Sequence, residues 1–305
     1  MIGKSLLAVI ALLAPAGVTA NVPLPGTGVT VQEQASDPVR LASYGFGTKR
    51  TYLRGVTGDT FVRQKGFSEA ALSPDGRRVA AVPDSYHSGW DSVVVTDRLV
   101  GKPARVRTVR KPLTASYASW SRDGTKVVLT VEKKVGGKWR TSGFTVVDAL
   151  ASTARTVTVT GAATGAGFWF APDGNLVAEY GKGLRVYNPA DGKVVRTFPS
   201  IGLPTGPEDA FSPSGRQLAL WCPASVAEDL CVADPATGKI VRRVPVEPEA
   251  LFGWWDESHV IAVAAWKGAY RLVVLDLTGK TKRVLAGVPA KAWKSGLWLH
   301  FVRER

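Results

Sequence analysis

One four-residue turn recurs along this chain and decides most of what it can fold into. Ser73-Pro74-Asp75-Gly76 is followed by Ser121-Arg122-Asp123-Gly124, Ala171-Pro172-Asp173-Gly174 and Ser212-Pro213-Ser214-Gly215. A weaker copy, Trp255-Asp256-Glu257-Ser258, and a degenerate one ending at Gly296 continue the series, at intervals of 48, 50, 41, 43 and 38 between final turn residues. A large apolar residue stands before each of the first five (Leu72, Trp120, Phe170, Phe211, Trp254), and a short apolar run follows, such as V-A-A-V from Val79 or V-V-L-T-V from Val127. Proline pre-sets φ early in such a turn, aspartate bonds back to nearby amides, and glycine takes the positive φ. Each copy therefore joins two antiparallel strands.

Half a period away lies a second signal: an apolar strand, a short polar turn, then a strand rich in Val and Arg. Clear copies are L-R-V-Y-N-P-A-D-G-K-V-V-R from Leu184, L-C-V-A-D-P-A-T-G-K-I-V-R from Leu230 and L-V-V-L-D-L-T-G-K-T-K-R from Leu272. Asp97, Asp148, Asn188, Asp234 and Asp276 open these turns, where the side chain can cap turn amides. Every period thus holds two hairpins, or four strands, and no amphipathic helix is evident after Ala20. Four-stranded units at this period are the blades of a β-propeller, because one blade cannot bury both faces alone and a closed ring protects the last edge.

The chain opens, from about Thr51, on a second hairpin with no first, and ends, from Gly296 to Phe301, on a first hairpin with no second. The expectation is an all-β, six-bladed propeller over residues 44–305, whose final blade joins strands around Leu297 to Phe301 with strands around Thr51 to Gln64. Five or seven blades follow if the degenerate copy near Gly296 is miscounted.

Residues 1–20 carry Lys4, an apolar run from Leu6 to Ala14 and small residues up to Ala20, the pattern of a secretory signal. An uncleaved buried helix is the alternative. The run is too short to cross a bilayer, and nothing after Ala20 is apolar for long enough. The expectation is a chain exported to the envelope or beyond, with residues 21–43, rich in Pro, Gly, Thr and Gln, as a flexible leader. Of its two cysteines, Cys222 and Cys231 flank a short loop. An oxidising compartment favours a disulfide between them over free thiols.

The repeated Ser-Pro-Asp-Gly turn resembles the WD40-like, or PD40, repeat of TolB-type β-propellers, and the likeness runs from about Thr51 to Phe301. It departs from eukaryotic WD40 repeats, since the Gly-His dipeptide is absent and neither Trp90-Asp91 nor Trp255-Asp256 closes a strand. The separate N-terminal domain of full TolB is also missing from the pattern. The resemblance implies a ring whose exposed face binds a protein or ligand, and fold alone assigns no task.

Catalytic patterns are poor. Gly66-Phe67-Ser68-Glu69-Ala70 loosely follows a nucleophile elbow but precedes a hairpin where that motif needs a strand-to-helix turn. His87, His259 and His300 lie in different repeats, without the spacing of a zinc site. A lactonase-like, metal-dependent hydrolase would need oxygen ligands converging on the channel. Glu69, Glu208 and Asp209 lie ahead of inner strands, where they serve as candidate ligands or as local turn caps.

The formal charge of +14 suits anionic envelope material in an exported chain more simply than nucleic acid. Arg98 to Lys111 and Lys133 to Arg140 hold the densest cations. They form an anionic docking rim, led by Arg105, Arg107, Arg110, Lys111, Lys133 and Lys134, or they guard strand edges. The reading is an exported, non-catalytic monomer that binds an unidentified protein or anionic envelope polymer, without cofactor or metal. Its site is expected on the loops leading into the inner strands, at Ser68, Glu69, Glu208, Asp209 and Trp255.

Overall fold

Each recurrent turn closes on its own side chains. Gly76 N donates to Ser73 O at 2.7 Å, with Gly76 at a φ of 66° that a side chain resists. Asp75 accepts from the Arg77 amide, and Ser73 Oγ accepts from the Arg78 amide at 2.8 Å. Ser121 and Asp123 repeat the arrangement one period later. The serines are buried, so these bonds satisfy groups that water cannot reach.

The computed structural model describes residues 19–47, 50–163, 165–205, 210–226 and 229–303. It is a six-bladed β-propeller of four-stranded antiparallel sheets. Blades 1 to 5 span 67–110, 114–158, 168–198, 203–244 and 250–288 in chain order. Blade 6 joins the inner strand Trp298–Arg303 to Val39–Gly45, Thr51–Arg54 and Phe61–Arg63. Six apolar clusters fill the six seams between neighbouring blades. Trp254, wholly buried, lies in the seam of blades 4 and 5, where its indole donates to Ala210 O at 3.0 Å.

The C- and N-terminal strands complete one shared blade, as the sequence predicts, but with a different split of strands. Trp298–Arg303 pairs with Val39–Gly45, Leu299 opposite Tyr44, and Thr51–Arg54 is one strand further out. The C-terminus thus supplies one strand and the N-terminal region three. Gly45 lets Trp298 cross it, since a Cβ there would sit 2.4 Å from the indole. Tyr44 stacks on its cross-strand partner Tyr52 at 4.8 Å, which adds ring contact to the ladder at the joint. The degenerate copy near Gly296 is not a turn between first and second strands. It ends the short helix Ala290–Lys294 on the connector into blade 6.

The expected flexible leader is ordered. Thr19–Leu24 and Val29–Gln34 form an antiparallel ribbon, and Val39–Gly45 is the strand just described. Val22, Leu24, Val29 and Val31 alternate inward and enter the seam of blades 5 and 6. Glu33 of the ribbon pairs with Arg54 at 2.8 Å and accepts from Leu41 N, which fixes the ribbon to blade 6. The expected signal segment, residues 1–20, falls almost wholly outside the described residues. No helix among the described residues is long and apolar enough to cross a membrane.

Candidate functional site

Antiparallel blades give the ring two unlike faces. The turns between first and second strands and between third and fourth strands share one, here the turn face. The hairpins between second and third strands, with the connectors entering each inner strand, share the other, the hairpin face.

The turn face is held shut by side chains that join one blade to another. Arg122 of blade 2 donates to Phe211 O, Ser212 O and Pro213 O of blade 4, at 3.1, 2.6 and 2.7 Å. Arg303 of blade 6 donates to Trp254 O and Trp255 O of blade 5, and Arg98 of blade 1 to Arg54 O of blade 6. Ser214 of blade 4 binds Glu257 of blade 5 through Oγ at 2.9 Å. Aspartates of this face bond to their own turns. Asp276 accepts from Thr278 and Lys280, which with Lys282 nearby holds its carboxyl down to about 2. Asp123 is likewise lowered, first by the Ser121 hydroxyl.

Inside the ring, near this face, is a cavity of about 400 Å³. Its wall is mostly apolar and aromatic, with Trp120, Trp169 and Phe211 prominent, and its charged lining residues are Arg122 and Arg303. Trp120 donates its indole N–H to Ala71 O at 3.0 Å, whereas the buried Trp169 Nε1 has no partner among the described residues. The two guanidiniums are engaged with backbone carbonyls, and their positive charge repels a metal cation. Among the described residues no group of three His, Cys, Asp or Glu gathers where a metal could sit.

At the other mouth, Ser68 and Glu69 lie within the inner strand Phe67–Leu72, where the sequence places them beside a loop. Ser68 Oγ donates to Val82 O within blade 1, and Glu69 Oε1 accepts from Ala118 N of blade 2 at 3.1 Å, so Glu69 ties the two blades together. Glu208 and Asp209 lie outside the described residues. Trp255 belongs to a turn on the opposite face, half-buried under the Arg283 guanidinium at 5.6 Å, and is not brought near Ser68 or Glu69. Of the described candidates, Trp255 therefore does not share a face with Ser68 and Glu69. Tyr117 was not singled out by the sequence. It sits at a bulge with φ 58°, 57% exposed. Burial of part of its ring, then the charges of Glu132 and Glu69, raise its phenol, which stays a hydrogen-bond donor at this mouth.

The basic candidates divide along one strand, Pro103–Arg110, which runs from the turn face to the hairpin face. Arg105 bonds Ser92 Oγ at 2.8 Å on the blade. Arg107 and Arg110 stack over Trp90 at 5.8 and 4.7 Å, and Lys111 lies 5.9 Å from the centre of Tyr86. Lys133 and Lys134 stand on the hairpin of blade 2, where every residue from 133 to 140 is exposed. Aromatic–cation pairs recur on this face at Lys134–Trp139, Arg185–Tyr180 and Arg271–Trp266. The sequence carries their signal as an aromatic beside Lys or Arg at a hairpin tip, in K-K-V-G-G-K-W-R and A-A-W-K-G-A-Y-R. Cys222 and Cys231 are bonded across the hairpin of blade 4 with Cα atoms 5.0 Å apart, which ties down its loop on the same face.

No family model matches the sequence, and no curated protein matches it. Solved structures do match. TolB from Acinetobacter baumannii aligns with a TM-score of 0.52 and 16% identity, over 89% of this chain and 67% of that one. An oligogalacturonate lyase from Vibrio parahaemolyticus aligns at 0.57 and 13%, over 87% and 83%. The propeller domain of the Trilobed protease from Pyrococcus furiosus aligns at 0.50 and 13%, over 88% and 85%. At these identities the likeness is one of fold, and the fold is TolB-like.

Proposed function

We propose that this chain is an exported, non-catalytic β-propeller that binds a macromolecule at the cell envelope through its hairpin face. One observation carries the reading. The turn face is laced shut by Arg122, Arg303 and Glu257, while the hairpin face leaves aromatic and cationic side chains exposed at its tips. Loops on a rigid scaffold are where binding residues gather. Export rests on the signal pattern of residues 1–20.

A lactonase-like hydrolase is the rival reading. The manganese-bound oligogalacturonate lyase of similar fold, at a TM-score of 0.54, keeps it in view. The guanidiniums lining this cavity weigh against a cation there.

Capture from envelope extracts by the immobilised chain tests the proposal. Retention of one partner that is lost on Lys133→Glu with Lys134→Glu, together with elemental analysis finding no stoichiometric metal, is the expected result. A bound metal at one per chain, with hydrolysis of a lactone or ester panel, would replace this reading with the rival.

A further inference from the structure

Two hairpins overshoot their blades by the same amount. In blade 2 the last pairing with the inner strand is Thr114 opposite Glu132, yet the second strand continues to Val135 and returns at Lys138. In blade 5 the last such pairing is Ala250 opposite Val263, and the strand continues to Trp266 before returning at Ala269. Three further residues at about 3.4 Å each carry both tips roughly 10 Å beyond the inner strands. Blades 2 and 5 stand opposite one another in a ring of six. Two equal projections on opposite sides of one mouth make contact with a plane more readily than with a narrow ligand.

The tips match one kind of plane. Residues 133–140 include Lys133, Lys134, Lys138 and Arg140 and no acid, around an apolar Val-Gly-Gly apex with Trp139 45% exposed. Residues 264–271 likewise carry Lys267 and Arg271 without an acid, and Trp266 is 45% exposed. Among the described residues no ion pair joins Lys133, Lys134 or Lys138 to a carboxylate. Indole rings favour the level of lipid headgroups, long basic side chains reach phosphates from an apolar stem, and anionic lipids attract such clusters. We propose that the paired hairpins of blades 2 and 5 dock the propeller on an anionic lipid bilayer, with Trp139 and Trp266 at headgroup depth. A soluble polyanion would satisfy the lysines but give the two tryptophans no apolar layer to enter.

This inference rests on the reading of the hairpin face as the docking surface, and the test separates the two. The exported chain is sedimented with vesicles of phosphatidylcholine and phosphatidylglycerol in equal parts, with phosphatidylcholine vesicles, and with soluble polyphosphate as a competitor. Binding to the mixed vesicles alone is expected, weakened about tenfold by Trp139→Ala with Trp266→Ala and at least as much by Lys133→Glu with Lys134→Glu. Circular dichroism melting keeps folding separate, since both tips lie outside the blades. Polyphosphate binding that the tryptophan changes leave intact, without vesicle binding, would overturn the lipid assignment and keep the docking face. Binding to neither would also overturn the lipid assignment, and the capture experiment then decides the docking face by itself.

Discussion

The turn face and the hairpin face are made by the same strands, yet their charged side chains answer to different demands. On the turn face, Asp75, Asp123 and Asp276 accept hydrogen bonds from their own turns, and Arg122 and Arg303 donate to backbone carbonyls of other blades. On the hairpin face, Lys133, Lys134 and Lys138 stand on an extension that takes no part in any seam, beside exposed Trp139. The ring thus engages these three aspartates where strands must reverse tightly, while the cations of the blade 2 hairpin stand free of that task. Charge on the first face serves the fold, and charge on the second is available to a partner.

The comparison breaks first if the two classes of tryptophan behave alike. Trp254→Ala removes a buried indole from the seam of blades 4 and 5 and is expected to cost about 3–5 kcal/mol, read by urea denaturation. Replacing Cys222 and Cys231 by serine opens a short loop on the hairpin face. The expected loss is about 2–3 kcal/mol by chain entropy, seen as a lower midpoint that added reductant reproduces in the native chain.

Acid sharpens the contrast through opposite signs. Asp276 has its pKa lowered, so its contribution is present above the ordinary carboxylate range and fades as pH falls toward about 2. Glu132, at the base of the blade 2 hairpin, is raised by burial, so its charge costs stability above its pKa and protonation relieves that cost. Melting from neutral pH downward should therefore show Asp276→Asn less stable than wild type, with the gap closing below pH ~4. Glu132→Gln should be more stable than wild type at neutral pH, with that gap also closing in acid. The smallest effect belongs to Trp139→Ala, expected to change stability by no more than about 0.5 kcal/mol while weakening docking.

The blades were legible because the Ser-Pro-Asp-Gly turn is chemically demanding and repeats. The shared closing blade was legible as well, but its strand order was not, for two local reasons. Pro25-Gly26-Thr27-Gly28 reads as a linker by composition, but it is the turn of a ribbon whose alternating Val22, Leu24, Val29 and Val31 carry the real signal. Counting that ribbon as leader also hid Val39–Gly45, so the C-terminal strand was given the wrong neighbour. For the site, acidic residues near loops drew attention, and Glu69 proved to be an inter-blade acceptor. Tyr117 escaped because its exposure depends on a bulge that no short motif announces.

The most direct measurement compares charge reversal on the two faces. Lys133, Lys134 and Lys138 changed together to Glu on the hairpin face are set against Lys102, Lys239 and Lys280 changed to Glu on the turn face, all of them exposed. Co-sedimentation with envelope membranes is then read as a function of salt. The account predicts that the first set abolishes sedimentation and the second leaves it near wild type. Equal loss from both sets would mean that net charge alone drives binding, and the distinction between the faces would fall.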